Sequence, residues 1–183
     1  MPTLYRVLPY LPNVPNDEPG GALYVPPQGG GRVDNPDVYA VLYAGSVEAG
    51  AIAEAFGRFP EWSEAILQGS PALPGSSRAV ARYRLDESVP ICNLDDPSQL
   101  IGLGLRPSDV VSRDYRKTRD WARRIFQQGV WAGVCWWSYY DPRWSSFGLW
   151  ALDRLKLEDV RILSLDDAAV TEAARTLSRR ILR

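Results

Sequence analysis

The stretch from Gly29 to Glu54, GGGRVDNPDVYAVLYAGSVEAGAIAE, reads as three consecutive elements whose order decides the fold. Gly29, Gly30 and Gly31 let the backbone adopt positive φ and approach a ligand closely, and Arg32 follows them. VYAVLY, Val38 to Tyr43, is rich in β-branched and aromatic residues and predicts a strand. Gly45 and Ser46 end that strand and supply a helix cap. In SVEAGAIAEAFGRF, residues Ala49, Ile52, Ala53 and Phe56 recur at helical spacing and predict a buried face. Glu54 lies off this stripe beside Gly50, at the edge of the buried face, where small residues leave room for another group. A plainer reading pairs Glu54 with Arg58 at i,i+4 on open surface, a contact worth about a few tenths of a kcal/mol.

Upstream, LYRVL (Leu4 to Leu8) alternates as a strand, with Leu4, Arg6 and Leu8 on one side. If that side is core, Arg6 is partly buried and needs an anionic partner, which a carboxylate or a bound diphosphate would supply. From Pro9 to Pro36 the chain holds seven prolines and five glycines, which predicts a long structured loop of the kind that often forms a lid or binding loop.

Downstream, VARYRL (Val80 to Leu85) and VPICNL (Val89 to Leu94) read as strands, and a helix starts at Asp95-Asp96-Pro97. Tyr115 to Gln128 predicts a helix with Thr118, Trp121, Ala122 and Ile125 on its inner face and Gly129 as its stop. Arg113, Arg116, Lys117, Arg119, Arg123 and Arg124 surround it and read as a solvated or partner-facing surface, with phosphate binding as the alternative. VWAGVCWWS (Val130 to Ser138) predicts a buried strand with Ser138 at a mouth lined by indoles. FGLWAL and VRILSL add two strands. A last helix opens at Asp166-Asp167, turns Val170, Ala174, Leu177 and Ile181 inward, and ends with Arg179, Arg180 and Arg183 complementing its dipole. Strands and helices mix without a regular β-α repeat, so the predicted class is α+β. No G-x-G-x-x-G follows a strand, which excludes a Rossmann dinucleotide site.

Composition bounds the chemistry further. A chain of 183 residues, 45% hydrophobic and 23% charged, suits one globular domain over residues 1–183 that buries roughly 70% of its unfolded surface. The chain has no histidine. A Ser-His-Asp or Cys-His nucleophile and a His-Glu-x-x-His zinc site therefore cannot be built. Cys92 and Cys135 are expected to be free and buried, and no metal is expected. Without a signal-like start or a long apolar run, the expected location is the cytoplasm and no membrane contact is foreseen. Net charge is -1, divided as -6 over residues 1–100 (6 basic, 12 acidic) and +5 over 101–183 (15 basic, 10 acidic). With a pI near 5.5, direct nucleic-acid binding is not expected.

The order of glycine turn with Arg32, strand ending in Tyr43, and helix carrying Glu54, with Arg6 upstream and a serine downstream, resembles RES-domain proteins. These are NAD-degrading toxins of Xre/RES-type toxin-antitoxin systems, and their fold is like that of ADP-ribosyltransferases. Here Val33 follows the arginine where the family usually has a large aromatic. The resemblance implies packed sheets with helices around them, and cleavage of the nicotinamide-ribose bond of NAD by hydrolysis or phosphorolysis. It gives Glu54, Arg6 and Ser138 catalytic roles and Arg6, Arg32 and Tyr43 the substrate, and it implies an Xre-type helix-turn-helix antitoxin as partner. Diphtheria-type transferases use a histidine where RES proteins have an arginine, and this chain fits only the arginine version.

The residue types suit that chemistry. The bond breaks through an oxocarbenium-like state, which a carboxylate stabilises, and nicotinamide leaves a pyridinium salt as a neutral molecule without a general acid. Guanidinium groups grip phosphate bidentately, and a flat aromatic holds a base. The serine stays open among Ser138, Ser145 and Ser146. So do two other readings of the whole chain. One is a protein ADP-ribosyltransferase of the same fold. The other is a non-catalytic module in which the seven tryptophans and the arginine helix form a recognition surface for protein or nucleic acid.

Overall fold

The computed structural model describes residues 2–88 and 90–183. A seven-stranded mixed sheet is built from β1 (Thr3–Tyr10), β2 (Leu42–Gly45), β4 (Ser77–Leu85), β5 (Ile91–Asn93), β6 (Gly133–Trp137), β7 (Ser145–Leu149) and β8 (Leu155–Ile162), in the order β5-β6-β7-β2-β1-β4-β8. Two short strands, β3 (Glu61–Trp62) and β9 (Arg180–Ile181), pair in parallel beside it. The helices are α1 (Glu48–Phe56), α2 (Glu64–Leu67), α3 (Pro97–Gly102), α4 (Pro107–Val110), α5 (Tyr115–Gln127) and α6 (Ala168–Thr176). Among the described residues, no helix is long and apolar enough to cross a membrane.

The large sheet is two half-sheets joined at one place. β1 pairs with β4 along its whole length, and β2 with β7, but β1 meets β2 only where Tyr5 lies opposite Gly45. If that antiparallel register continued, Arg6 would face Ala44 and Val7 would face Tyr43. The two strands part instead.

Three buried clusters follow from the alternation in the strands and the stripes on the helices. Ala49, Ile52, Ala53 and Phe56 of α1 pack with Val170, Ala173 and Ala174 of α6, and Tyr5 and Val7 of β1 lie against them. Trp121, Ala122 and Ile125 of α5 pack with Val134 and Trp136 of β6 and with Val33 and Val41. Leu4 and Leu8 of β1 join Leu42 of β2, Tyr83 of β4 and Leu149 of β7, so the half-sheets share a core where their ladders separate. The predicted apolar faces of α1 and α5 are the buried ones. Cys92 and Cys135 are buried free thiols on neighbouring strands, and burial raises both thiol pKa values, to about 11 and about 12.

Several boundaries differ from the sequence reading. VYAVLY is strand only from Leu42, because the N–H groups of Val38 and Tyr39 both donate to the Asn35 carbonyl and close a turn over residues 36–38. Val47, not Ser46, precedes α1 as its cap, and the Ser46 hydroxyl instead accepts from the Ser145 N–H at 3.0 Å. VPICNL is strand only over Ile91–Asn93, with Val89 outside the described residues. FGLWAL ends its strand at Leu149, since Trp150 and Ala151 both turn their N–H groups to the Ala132 carbonyl. The strand containing VRILSL starts earlier, at Leu155, and stops at Ile162.

The last helix is shorter than predicted. Ser178 adopts φ +53, and Ile181 then belongs to β9, paired with Trp62. Arg179 donates to the Gly57 carbonyl at 2.7 Å, at the C-terminus of α1, while Arg180 and Arg183 pair with Glu61 and Asp166. These arginines therefore serve other elements than the dipole of α6.

Candidate active site

Where β1 and β2 part, a cavity of about 370 Å³ opens, within the roughly 300–1,000 Å³ range of ligand sites. Its walls include Arg6 from β1, Arg32 from the glycine turn, Tyr43 from β2, Glu54 from α1, Trp136 from β6 and Ser146 from β7. Ser138, just beyond β6, is 3% exposed and reaches the site by a hydrogen bond instead of lining it. The fold thus brings Arg6, Arg32, Tyr43, Glu54 and Ser138 together from positions up to 132 residues apart in sequence.

Arg6 sits between Leu4 and Leu8 on the inward face of β1 and donates from Nη1 to the Ala22 carbonyl at 3.2 Å. Tyr83 donates to the same carbonyl at 2.5 Å. Burial lowers the Arg6 pKa from its ordinary value, and the neighbouring Tyr83 opposes part of that shift. Arg32 donates from Nη1 to the carbonyls of Val110 and Ser112, at 2.9 and 2.6 Å, and its guanidinium carbon lies 5.5 Å from the Tyr115 ring centre. Among the described residues neither guanidinium has a carboxylate within 4.0 Å. Neither charge is therefore neutralised by a carboxylate of the described residues.

Glu54 Oε1 accepts hydrogen bonds from Ser138 Oγ at 2.6 Å and from Ser146 Oγ at 3.4 Å. Ser145 precedes Ser146 in β7, so its side chain points to the opposite face of the strand. The surface pair with Arg58 does not form, for Arg58 stacks over Phe59 at 4.8 Å. The space beside Glu54 comes from Ala51 and Ala55, which line the cavity. Gly50 faces the other way, where an added Cβ would meet Val47 at 3.1 Å and Trp144 at 3.4 Å.

Tyr43 is held by its hydroxyl, which donates to Asp34 Oδ1 at 2.6 Å and accepts from the Val33 N–H at 3.0 Å. Burial raises its pKa, and the Asp34 charge adds to the rise. Val33 itself is fully buried and meets the site through its backbone.

The residue the sequence reading missed is Asp34. Its carboxylate accepts from the Gly29 and Gly31 N–H groups at 2.8 and 2.6 Å as well as from Tyr43. Burial works against its ionisation, but the Tyr43 hydroxyl, the two amides and Arg119 together bring its pKa below the ordinary carboxylate value. The available signal was an aspartate just after a glycine turn, where a short carboxylate gathers backbone N–H groups.

The arginine helix was also misread in part. Arg119 donates to the carbonyls of Gly31 and Gly29 at 3.0 and 2.6 Å, Thr118 to that of Arg32 at 2.5 Å, and Arg123 to Asn35 at 3.3 Å. One face of α5 therefore clamps the glycine turn. The tryptophans do not form a recognition surface either, since Trp62, Trp121, Trp136 and Trp144 are buried and the other three partly so.

A sheet that opens over a cleft holding two guanidiniums with no carboxylate partner among the described residues, and a serine-bound carboxylate, defines an α+β domain with a polar site inside its own ladder. A family model described as RES domain matches residues 3–175, and the chain belongs to the RES family. No curated protein matches it. Among solved structures, a chain of the crystal structure of the M. tuberculosis MbcT-MbcA toxin-antitoxin complex shares its fold with a TM-score of 0.60. The match is 14% identical in sequence and covers 97% of this chain and 88% of that one.

Proposed function

We propose that the chain is an NAD-consuming enzyme that cleaves the bond between nicotinamide and ribose, and that it acts as the toxin of a toxin-antitoxin pair. The observation that carries this reading is the shared cavity of Arg6, Arg32 and Glu54, in which two cations lack carboxylate partners and one carboxylate is held by serines. The arginines bind the diphosphate, and Tyr43 packs against the nicotinamide end. Glu54 lies beside the ribose carbon that becomes positive, with Oε1 fixed by Ser138 so that its charge needs no reorientation as the bond breaks.

The bonding pair of the C–N bond leaves with nicotinamide, which becomes neutral. An oxygen of water or phosphate then adds to the sugar carbon, and water gives up its proton to solvent. The products are nicotinamide with ADP-ribose, or nicotinamide with phosphorylated ADP-ribose. Membership of the RES family supports the substrate, and the structural likeness to a toxin-antitoxin complex supports the biological role. The partner is an antitoxin with an Xre-type helix-turn-helix, as the family resemblance implies.

The test is incubation of the purified protein with NAD, with and without phosphate, followed by chromatographic detection of nicotinamide and identification of the second product. Radiolabelled NAD in the same experiment reveals any transfer to protein. No nicotinamide release under either condition refutes the enzymatic reading. Expression should arrest growth, and Glu54→Gln should relieve the arrest.

A further inference from the structure

The cavity is open to solvent on one side, and tyrosines stand at that rim. One of them is exposed. Tyr139 lines the cavity yet is 67% exposed. Its ring is fixed without being covered. Arg113 donates to its hydroxyl at 3.3 Å and lies 5.6 Å from its ring centre, and the Tyr140 ring meets it edge-on at 5.5 Å. Arg113 belongs to the segment before α5 and Tyr139 to the turn after β6, so the contact joins those two segments at the rim. The other rim tyrosine, Tyr115, is less free, because Arg32 and Arg119 lie 5.5 and 5.8 Å from its ring centre.

We infer that Tyr139, held by Arg113, is the stacking platform for the adenine base of the dinucleotide. This rests on the proposed use of NAD and names the adenine end of its site. Arg32 lines the same cavity as Glu54 and Tyr139, so a diphosphate gripped there has one ribose to offer to Glu54 and the adenosine end to offer to Tyr139. An aromatic ring with an open face takes any flat base, and a nearby guanidinium adds to the stack. Tyr139 acts on binding and takes no part in bond breaking.

The experiment compares the parent with Tyr139→Ala and Tyr139→Phe in two measurements, calorimetric binding of ADP-ribose and steady-state cleavage of NAD. Tyr139→Ala should weaken ADP-ribose binding and raise the KM for NAD by about 5- to 150-fold, the loss of one base stack, with kcat unchanged. Tyr139→Phe, which keeps the ring but loses the hydrogen bond from Arg113, should recover most of the affinity lost in Tyr139→Ala. Unchanged ADP-ribose binding in Tyr139→Ala overturns the assignment. So does a fall in kcat with KM unchanged, which would mean that the side chain acts through its neighbour Ser138. Tyr139-dependent ADP-ribose binding by a protein that releases no nicotinamide would leave the subsite standing and remove the proposed activity. Cleavage of NAD that ignores Tyr139 would do the reverse.

Discussion

The Ser138 hydroxyl donates to Glu54 Oε1 at 2.6 Å, joining the turn after β6 to the last turn of α1 across 84 residues of chain. The same Oγ accepts from the Tyr140 N–H at 3.2 Å, so the serine is oriented before it orients the carboxylate. Glu54→Gln keeps the shape and removes the charge, and NAD cleavage should fall about 100- to 1000-fold. Ser138→Ala should lower kcat by roughly tenfold with little change in KM, as expected when a group strengthens the transition state through another side chain. Because Ser146 donates to the same oxygen at 3.4 Å, the double alanine variant should lose more than the two single effects combined. Glu54→Gln cleaving NAD at the parent rate would remove the carboxylate from the reaction.

The two arginines are distinguished from lysine by the shape of the guanidinium. Arg32 spends Nη1 on two carbonyls and Arg6 spends Nη1 on one, leaving their remaining donors for ligand. Arg6→Lys and Arg32→Lys keep the charge and lose the fork, so each should raise the KM for NAD. Neither should change cleavage of nicotinamide riboside, which has no diphosphate. An equal loss on both substrates would assign these arginines to folding or to the ribose instead.

Asp34 makes the glycine turn sensitive to acid. Its folded pKa lies below the unfolded value of about 3.9, so the stability it contributes is complete above about pH 4 and is lost as pH falls through the folded value. Asp34→Asn should destabilise the protein by about 1–3 kcal/mol at pH 7, since an amide cannot accept all three hydrogen bonds. Urea unfolding of parent and variant should show that gap shrinking as the pH is lowered below about 4. A gap that stays constant on acidification would contradict the assigned role.

The three glycines are not equivalent. A Cβ on Gly31 would fall 2.3 Å from the Tyr43 hydroxyl and 2.5 Å from Asp34 Oδ1, whereas one on Gly30 would meet nothing within 4 Å. Gly31→Ala should therefore push Tyr43 off Asp34 and abolish activity, while Gly30→Ala should retain it. Comparable activity of the two variants, measured as nicotinamide release, would refute this account of the turn.

These glycines also mark what the sequence could reveal. Local patterns exposed the apolar face of α1, the inner face of α5 and the partial burial of Arg6, because periodicity reports which side of an element meets the core. Family resemblance, not periodicity, singled out Arg32, Tyr43, Glu54 and Ser138, since the helical pattern alone favoured an exposed Glu54 paired with Arg58. Asp34 escaped because its one signal, an aspartate after a glycine turn, is common in loops and does not name Tyr43, nine residues on, as its partner. The grip of Arg119 on Gly29 and Gly31 spans about 90 residues, so a charged helix face looked solvated. The end of α6 was misplaced because Ile181 fits a helical stripe equally well, and only the distant strand at Trp62 claims it.

The single meeting of β1 and β2 at Tyr5 and Gly45 means that the site occupies places where a continuous sheet would have put further pairs. Arg6, Val7, Tyr43 and Ala44 are the positions left on either bank, and all four line the cavity. A substitution that zipped the two strands further would strengthen the sheet and erase the cleft in one step. The seam is also the weakest line in the ladder, so the two half-sheets can breathe about Tyr5 and Gly45 by breaking far fewer bonds than unfolding requires. Amide exchange at these residues is then expected to respond to an occupant of the cleft well before exchange in the body of β4 does.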